Sequence, residues 1–262
     1  MGRGEGAEHA STHGADPARL AGVTWLDDLD PAAILFDLDG VLTPTAEVHR
    51  RAWSELFTDY LDRRGVAPYT EADYYDHIDG KPRYDGVRHM LDARGIELPE
   101  GDPSDAPDAE TVCGLGNRKD ATFNTILETE GIEPYPASVR FLDHVMGRGM
   151  AVAVVSSSKN ATKVLAAAGL SDRFEVVVDG LVAVSAELPG KPAPDMFLHG
   201  ARLLGVPAEK CIVVEDALSG VRAGAAGGFA GVVGVDRGTG EERLRDAGAD
   251  VVVAELDEIG GA

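Results

Sequence analysis

The sequence predicts an α/β fold, a doubly wound parallel sheet with a helical insertion, and three observations support that prediction. Short apolar runs rich in Val or Ile recur along the chain, with helical patterns between them. These runs lack a clean apolar/polar alternation, which is typical of parallel strands covered on both faces. After the first run, a long stretch of amphipathic helical patterns contains no strand-like run.

Six strands are predicted, each of about the length expected for a buried parallel strand. They are AILFD (33–37), AVAVVSS (151–157), FEVVVDG (174–180), CIVVED (211–216), GVVGVD (231–236) and DVVVAEL (250–256). The stretches NATKVLAAAGL, PDMFLHGARLLG and SGVRAGAAGG predict helices between strands. Because strand–helix–strand repetition requires crossover connections, we expect one parallel sheet with helices on its faces.

The remaining segments predict a helical unit and a tail. AEVHRRAWSELFTDYLDRRG and YDGVRHMLDARG have amphipathic helical patterns, and LPEGDPSDAPDAE (98–110) predicts an exposed loop. The N-terminal stretch is rich in Gly and Ala and poor in large apolar side chains, although Trp25 and Leu26 are candidates for docking onto the core. We predict a mobile tail over residues 1–30, an α/β core domain over 31–46 and 132–262, and a helical domain over 47–131.

Composition narrows the classes of partner. The chain has 262 residues, 44% of them hydrophobic and 26% charged, a balance typical of globular proteins. Its 24 Lys and Arg against 45 Asp and Glu give a net charge of −21, which argues against nucleic acid or an anionic membrane as a partner. Cys113 and Cys211 lack the spacing of a zinc site or redox pair, and the N-terminus lacks a secretory apolar segment. We therefore expect a cytoplasmic protein with no membrane span.

Two Asp-Leu-Asp triplets lie close together, and their contexts distinguish them. Acidic residues are so frequent here that a lone acid-x-acid triplet is weak support for a site. The triplet in DDLDP (27–31) follows no strand and leads into a proline, so we expect a solvated turn. The triplet in ILFDLDGVLT follows a predicted strand, and ligands of parallel sheets bind at the carboxyl ends of strands. Asp37 and Asp39 are therefore candidate site residues, and Gly40 allows a tight turn after them.

Two further strand ends carry groups suited to an anion. Ser156, Ser157 and Ser158 precede a predicted helix that begins near Asn160, so they form either an anion site or an ordinary helix cap. Lys191 lies between Gly and Pro on a rigid loop, where it is either a site cation or a surface lysine.

The strand CIVVED ends in a pair of adjacent carboxylates. Glu215 and Asp216 repel each other in a buried position unless a cation lies between them. Oxygen ligands without a histidine cluster favour Mg²⁺. Because these polar groups and Asp37 all follow predicted strands, they form a more specific pattern together than any of them does alone.

These motifs resemble those of the haloacid dehalogenase (HAD) superfamily of phosphoryl-transfer enzymes. DLDGVLT, SSS, GKPAPD and EDALSG are similar to its four motifs, over about residues 31–236. The likeness to the β-phosphoglucomutase-like branch is closer still, through TAEVHRRAW, DGKPRYDGV, NRKDATF, VVSSSKN and GKPAPDMF. The resemblance implies a Rossmann-like HAD core with an inserted all-α cap domain.

The resemblance also implies catalytic and metal-binding roles. Asp37 would be the nucleophile that forms an aspartyl-phosphate, and Asp39 the general acid/base for the sugar hydroxyl. One Mg²⁺ per active site would be held by the Asp37 carboxylate, the Asp39 carbonyl, Glu215 and Asp216.

Phosphate and sugar contacts are implied in the same way. The groups at phosphate-binding positions are Ser156, Ser157 and Lys191 for the transferring phosphoryl group, and Arg83, Ser158, Lys159 and Asn160 for a second phosphate. Lys119 would face the sugar, His49 would support the acid/base, and Thr45 would lie at the hinge of the cap. From the residues alone, Arg83 is either a phosphate ligand or a solvated arginine.

Three functions follow as expectations. The first is a Mg²⁺-dependent β-phosphoglucomutase that interconverts β-D-glucose 1-phosphate and glucose 6-phosphate, with β-glucose 1,6-bisphosphate as activator and intermediate. The second is a HAD-type phosphatase that hydrolyses a small sugar phosphate and shares every core residue. The third is a non-catalytic binding protein of the same fold. We expect a monomer whose partner is a small sugar phosphate.

Overall fold

A six-stranded parallel sheet forms the centre of the computed structural model, which describes residues 25–260. Its strands are β1 (Ala33–Phe36), β2 (Ala151–Val155), β3 (Val176–Val178), β4 (Cys211–Glu215), β5 (Gly231–Val235) and β6 (Val251–Val253). The order across the sheet is β3-β2-β1-β4-β5-β6, and every pairing is parallel. The predicted fold class is confirmed, and each predicted apolar run contains one strand.

The central strand β1 aligns the polar residues that follow it and its neighbours. Phe36 pairs with Val154 on β2 and with Val214 on β4. The next residue, Asp37, therefore lies at the same level as the ends of both neighbouring strands. All four residues of β1 are buried because helices cover both faces of the sheet.

Alternate residues of the strands pack into two separate layers. Ile34 and Phe36 belong to one apolar cluster, whereas Ala33 and Leu35 belong to the cluster on the opposite face. The helices of this part of the chain are α1 (Trp25–Leu29), α6 (Pro136–Gly147), α7 (Ala161–Ala167), α8 (Gly180–Ser185), α9 (Asp195–Leu204), α10 (Leu218–Ala226) and α11 (Glu241–Ala247).

The segment between β1 and β2 is helical, as predicted. It contains α2 (Thr45–Asp62), α3 (Glu71–Asp73), a π-helical turn (Tyr74–Ile78), α4 (Arg83–Asp92) and α5 (Val112–Glu130). Trp53, Phe57, Val87 and Met90 belong to an apolar cluster of its own. The stretch 98–110 has no helix or strand and is largely exposed, in agreement with the predicted loop.

The predicted N-terminal tail differs from the structure in its last residues. Trp25–Leu29 forms α1, and the side chain of Leu26 is 0% exposed in the main apolar cluster. The DDLDP stretch therefore lies at the end of a short helix, with Asp27 and Asp28 exposed, rather than in a turn alone. The rest of the tail prediction, over residues 1–24, lies outside the described residues.

Two observations concern the cysteines and the hydropathy of the helices. Both Cys113 and Cys211 are buried and unpaired. Within residues 25–260, no helix combines the length and apolarity that a membrane crossing requires.

Candidate active site

The loop after β1 brings two carboxylates to the edge of the sheet. The backbone N–H of Asp37 donates to the Val214 carbonyl at 2.9 Å, which extends the β1–β4 ladder by one residue. The chain then turns at Gly40, where φ is +84° and the N–H donates to the Thr43 carbonyl at 2.8 Å. A Cβ on Gly40 would lie 1.9 Å from Oδ2 of Asp216, so the position requires glycine for both conformation and space.

Lys191 is a buried cation rather than a surface lysine. Lys191 is only 3% exposed to solvent. The ammonium nitrogen lies 2.6 Å from Oδ1 of Asp37, 2.5 Å from Oε1 of Glu215 and 3.0 Å from the Val155 carbonyl. All three N–H donors of the Lys191 ammonium group are used. Its positive charge is therefore fixed between the ends of β1 and β4.

Three carboxylates form a compact group beside this lysine. Oxygen atoms of Asp37, Glu215 and Asp216 all lie within 4.8 Å of one another. Burial raises the pKa of Asp37 and of Asp216 well above the usual range, and the nearby Glu215 adds to both shifts. Such a group is stabilised when a cation neutralises it.

The hydrogen bonds of these carboxylates indicate which of them suit a metal ion. Both oxygens of Glu215 are occupied, one by Lys191 and the other by the backbone N–H groups of Asp216 and Ala217 at 3.0 and 2.9 Å. No residue in 25–260 donates a hydrogen bond to the Asp216 carboxylate. Buried oxygen donors of this kind fit Mg²⁺. Within residues 25–260, Oδ2 of Asp37 and both oxygens of Asp216 accept no hydrogen bond, whereas Glu215 contributes to the same group with both of its oxygens already accepting one.

The second aspartate of the motif is surrounded by groups that favour its ionised form. Thr45 donates a hydrogen bond to Oδ1 of Asp39, and Nε2 of His49 lies 3.4 Å from the same oxygen. Ser156 donates to Oδ2 at 3.4 Å. Burial opposes ionisation, but His49 and Thr45 outweigh it and lower the pKa of Asp39 to about 2.

A lysine of the helical insertion supports His49 from the other side. The ammonium of Lys119 contacts Nδ1 of His49, and the imidazole stacks on Phe123 with 4.1 Å between ring centroids. Burial lowers the pKa of His49 and lowers that of Lys119 to about 7. When Lys119 donates to Nδ1, the proton of the neutral ring lies on Nε2, which faces Asp39.

The serine-rich loop after β2 is built by its own hydroxyl groups. The N–H of Ser158 donates to Oγ of Ser156, and the N–H of Asn160 donates to Oγ of Ser158, both at 3.1 Å. The hydroxyl of Ser157 donates to the carbonyl of Gly80 in the insertion at 3.1 Å. The side chain of Asn160 does not cap α7, but the hydroxyl of Ser158 accepts the Asn160 N–H just before that helix.

A second polar group lines the same cavity. Arg83 contacts Oδ1 of Asp120 at 2.8 Å and donates to Asn117 at 3.3 Å. Asn160 donates to the same Asp120 oxygen at 2.6 Å. Lys159 lies over the ring of Tyr84, 5.1 Å from its centroid. Arg83 is therefore a partly buried, paired arginine and not a solvated one.

One cavity of about 350 Å³ collects nearly all of the predicted site residues. Those that line it are Asp37, Asp39, His49, Arg83, Lys119, Ser156, Ser157, Ser158, Lys159, Asn160, Lys191, Glu215 and Asp216. Thr45 is the exception, because it is fully buried at the start of α2 and contacts Asp39 from below the cavity.

The structure adds cavity residues that the sequence reasoning did not identify. Asp79 and Asp120 both line the cavity from the insertion. Burial, together with Glu215, raises the pKa of Asp79 to about 7. Asp79 lies within the DGKPRYDGV stretch and Asp120 within NRKDATF, but nothing in the local sequence distinguishes them from other surface acids.

Known proteins are similar to this one over most of the chain. The profile of the haloacid dehalogenase-like hydrolases matches residues 31–228. A β-phosphoglucomutase of Mycobacterium bovis is 48% identical over 238 residues, which cover 87% of this chain and 90% of the relative. Hexitol phosphatase A of Escherichia coli is 32% identical over 227 residues, covering 86% and 91%. The crystal structure of a β-phosphoglucomutase from Clostridium difficile matches with a TM-score of 0.70 at 25% identity, covering 87% and 93%.

Proposed function

Because this chain belongs to the β-phosphoglucomutase-like branch of the HAD superfamily, we propose that it is a Mg²⁺-dependent β-phosphoglucomutase. It would interconvert β-D-glucose 1-phosphate and glucose 6-phosphate through β-glucose 1,6-bisphosphate. One observation supports this specific activity, in addition to membership of the family. Arg83, Lys159 and Asn160 line the same cavity as Asp37 and Lys191, so one sugar can present a phosphate to each group at once.

In the proposed first step, a carboxylate oxygen of Asp37 bonds to the phosphorus at C1 of the bisphosphate. The bond from phosphorus to the sugar oxygen breaks, and Asp39 gives its proton to that oxygen, which releases glucose 6-phosphate. In the second step the C6 hydroxyl of β-glucose 1-phosphate takes the phosphoryl group from Asp37, and Asp39 accepts the hydroxyl proton. The bisphosphate is regenerated.

The charges around Asp39 suit the second step directly. With its pKa near 2 in the substrate-free site, Asp39 is ionised at neutral pH and ready to accept a proton. For the first step it must be protonated, and the negative charge of a bound phosphate raises its pKa in that direction. His49, held by Lys119, stays beside the carboxylate in both steps.

Charge on the reacting phosphate must be neutralised for a carboxylate to attack it. Lys191 is fixed 2.6 Å from Asp37 and supplies one positive charge. A Mg²⁺ ion held by the Asp37 carboxylate, the Asp39 carbonyl, Glu215 and Asp216 would supply charge neutralisation at the same phosphate. Ser156 and Ser157 line the cavity beside these groups, and each hydroxyl would donate to the phosphate by leaving its acceptor, Asp39 for Ser156 and the Gly80 carbonyl for Ser157.

The helical insertion covers the site and would limit hydrolysis. Ser157 binds Gly80 of the insertion, and Ser219 of α10 donates to the Asp79 carbonyl at 3.4 Å. These contacts hold the loop before α4 against the sheet edge. Excluding water there favours transfer of the phosphoryl group to a sugar hydroxyl.

A coupled assay tests the proposal. Purified protein, Mg²⁺ and β-glucose 1-phosphate with a trace of bisphosphate should yield glucose 6-phosphate, and Asp37→Asn should abolish it. Release of inorganic phosphate without glucose 6-phosphate would refute the mutase assignment.

The second candidate is a phosphatase of the same superfamily. The similarity to hexitol phosphatase A favours it, and the core groups of the site serve hydrolysis equally well. Arg83→Ala separates the two. Severe loss of isomerisation with surviving hydrolysis of small phosphate esters favours the mutase, whereas unchanged turnover of the natural substrate favours the phosphatase.

A further inference from the structure

Asp120 on α5 ties together two groups that we assign to the second phosphate. A single oxygen, Oδ1, contacts Arg83 at 2.8 Å and accepts a hydrogen bond from Asn160 at 2.6 Å. Arg83 begins α4 in the insertion, and Asn160 precedes α7 beside the sheet. The side chains of Arg83 and Asp120 are 16% and 24% exposed, so water screens this pair only in part.

The other charged side chains nearby do not contact the Asp120 carboxylate. Lys119, the residue before Asp120, directs its ammonium to His49. Lys159 lies over the Tyr84 ring and has no carboxylate within 4.0 Å in the described part of the chain. Asp85, another cavity carboxylate, contacts Arg88. Asp120 is thus the acid that engages Arg83 and Asn160.

We propose that Asp120 is an internal anion that occupies the second phosphate site, and that the substrate's second phosphate displaces it from Arg83 and Asn160. The inference rests on the proposed function of these two residues. A guanidinium group binds carboxylate and phosphate with the same fork of N–H donors, so the two anions compete for it. A phosphate carries more charge and more acceptor oxygens than one carboxylate oxygen, so it wins when it is present.

This exchange makes Asp120 a specificity-determining residue. A sugar that places no phosphate at Arg83 and Asn160 offers nothing that replaces the Asp120 contacts, so these two residues stay engaged with Asp120. A phosphorylated sugar recovers those contacts and more. The cavity therefore selects ligands that carry an anion able to displace Asp120 from Arg83 and Asn160.

Binding of glucose 6-phosphate to variants that cannot turn it over tests the exchange. Every variant carries Asp37→Asn, and dissociation constants are measured by calorimetry in the presence of Mg²⁺. Adding Asp120→Asn keeps an acceptor oxygen but removes the competing charge, so affinity should rise about tenfold, the difference between a charged and a neutral hydrogen bond. Adding Asp85→Asn, which removes a carboxylate from the same cavity, should change affinity by less than about twofold.

A double-mutant cycle ties the effect to Arg83. In an Arg83→Ala background the Asp120→Asn gain should shrink to less than about threefold, because the contested group is gone. Unchanged or weaker binding by Asp120→Asn in folded protein, checked by its melting temperature, would overturn the proposal and make Asp120 a residue that merely orients Arg83.

The outcomes separate this inference from the proposed function. If the mutase assay fails while Asp120→Asn still tightens binding, the exchange holds in an enzyme of another activity. If the mutase assay succeeds and Asp120→Asn does not tighten binding, the exchange alone is wrong.

Discussion

Buried charges at this site are arranged in a row that begins at Asp39 and ends at Lys119. His49 lies between them, 3.4 Å from Asp39 on one side and in contact with the Lys119 ammonium on the other. Burial works against every charge in the row. At Asp39 it is outweighed, so that the pKa is lowered to about 2, whereas at Lys119 it dominates and lowers the pKa to about 7. Burial of the Lys119 ammonium therefore lowers the free energy of unfolding, by an amount that depends on pH.

Replacing Lys119 with Met should stabilise the fold, and the gain should depend on pH. Below about pH 7 both folded and unfolded wild type are protonated at Lys119, and the folded state carries the full cost of burial. Between about 7 and the usual lysine pKa the unfolded state binds more protons, so wild-type stability rises with pH. Urea unfolding should show Lys119→Met more stable by on the order of 2 kcal/mol near pH 6, with a smaller gain near pH 9. Equal gains at both values would contradict the assignment.

Gly40 is a second position at which the residue type determines whether the site can form. Its positive φ and its closeness to Asp216 both exclude a side chain. Gly40→Ala should lower the free energy of unfolding by about 2 kcal/mol or more and abolish turnover. Gly65, which has φ +62° but nothing within 4 Å of a built Cβ, is the matched control. Gly65→Ala should destabilise the protein but leave turnover intact, and equal loss of turnover in both variants would show that Asp216 is not involved.

At the residue scale, the sequence allowed prediction of the groups that follow strands. Asp37, Ser156 and Glu215 each follow an apolar run, and register alone brings them together. Asp79 and Asp120 could not be predicted in the same way. They enter the cavity through the packing of helices in the insertion, and no local pattern encodes that packing.

At the scale of elements, the loop after β1 is held by three contacts from two segments distant in sequence. Arg237, after β5, donates to the Gly40 carbonyl at 3.0 Å, and Ser138 of α6 donates to the Val41 carbonyl at 2.6 Å. The N–H of Tyr135 donates to the Leu42 carbonyl at 2.9 Å. The loop that follows Asp37 and Asp39 is thus fixed on three successive carbonyls.

Arg237→Met should therefore loosen the loop and weaken Mg²⁺ binding by about tenfold, the usual effect of losing a supporting contact at a metal site. Calorimetric titration with Mg²⁺ measures this directly. Glu255→Gln is the control, because Arg237 contacts Glu255 away from the loop and keeps its bond to Gly40 in that variant. Equal affinities for wild type and Arg237→Met would show that the other two contacts suffice.

Element boundaries show where local sequence signals failed. The run FEVVVDG predicts a strand to residue 180, but β3 ends at Val178 because Asp179 caps α8. Its carboxylate accepts hydrogen bonds from the N–H groups of Leu181 and Val182, both at 2.9 Å. Apolar residues resume at Leu181 directly after Asp179 and Gly180, so hydrophobicity alone did not show that a helix begins there.

At the scale of the whole molecule, two helices join the insertion to the sheet. Val48 and Ala52 of α2, with Phe123 and Leu127 of α5, belong to the same apolar cluster as Phe36 of β1. The other ends of both helices pack within the insertion's own cluster. We propose the predicted cap and core as domains on this basis, with Thr45 at the hinge.

The melting temperature of the protein should depend on Mg²⁺ binding at the edge of the sheet. Mg²⁺ should raise the melting temperature at neutral pH, because it binds the folded state and relieves repulsion among Asp37, Glu215 and Asp216. Asp216→Asn should melt above wild type in EDTA and gain little from Mg²⁺. Calorimetric scans with and without Mg²⁺ measure both, and a full Mg²⁺ response in Asp216→Asn would remove that residue from the metal site.

The most direct test of the account follows one phosphoryl group through Asp37. Protein is mixed with β-glucose 1,6-bisphosphate radiolabelled in its C1 phosphate and is then chased with unlabelled β-glucose 1-phosphate. If Asp37 passes the group between sugar oxygens in a closed cavity, the label should be recovered in the C6 phosphate of the bisphosphate and of glucose 6-phosphate. Recovery of the label as inorganic phosphate would contradict the account.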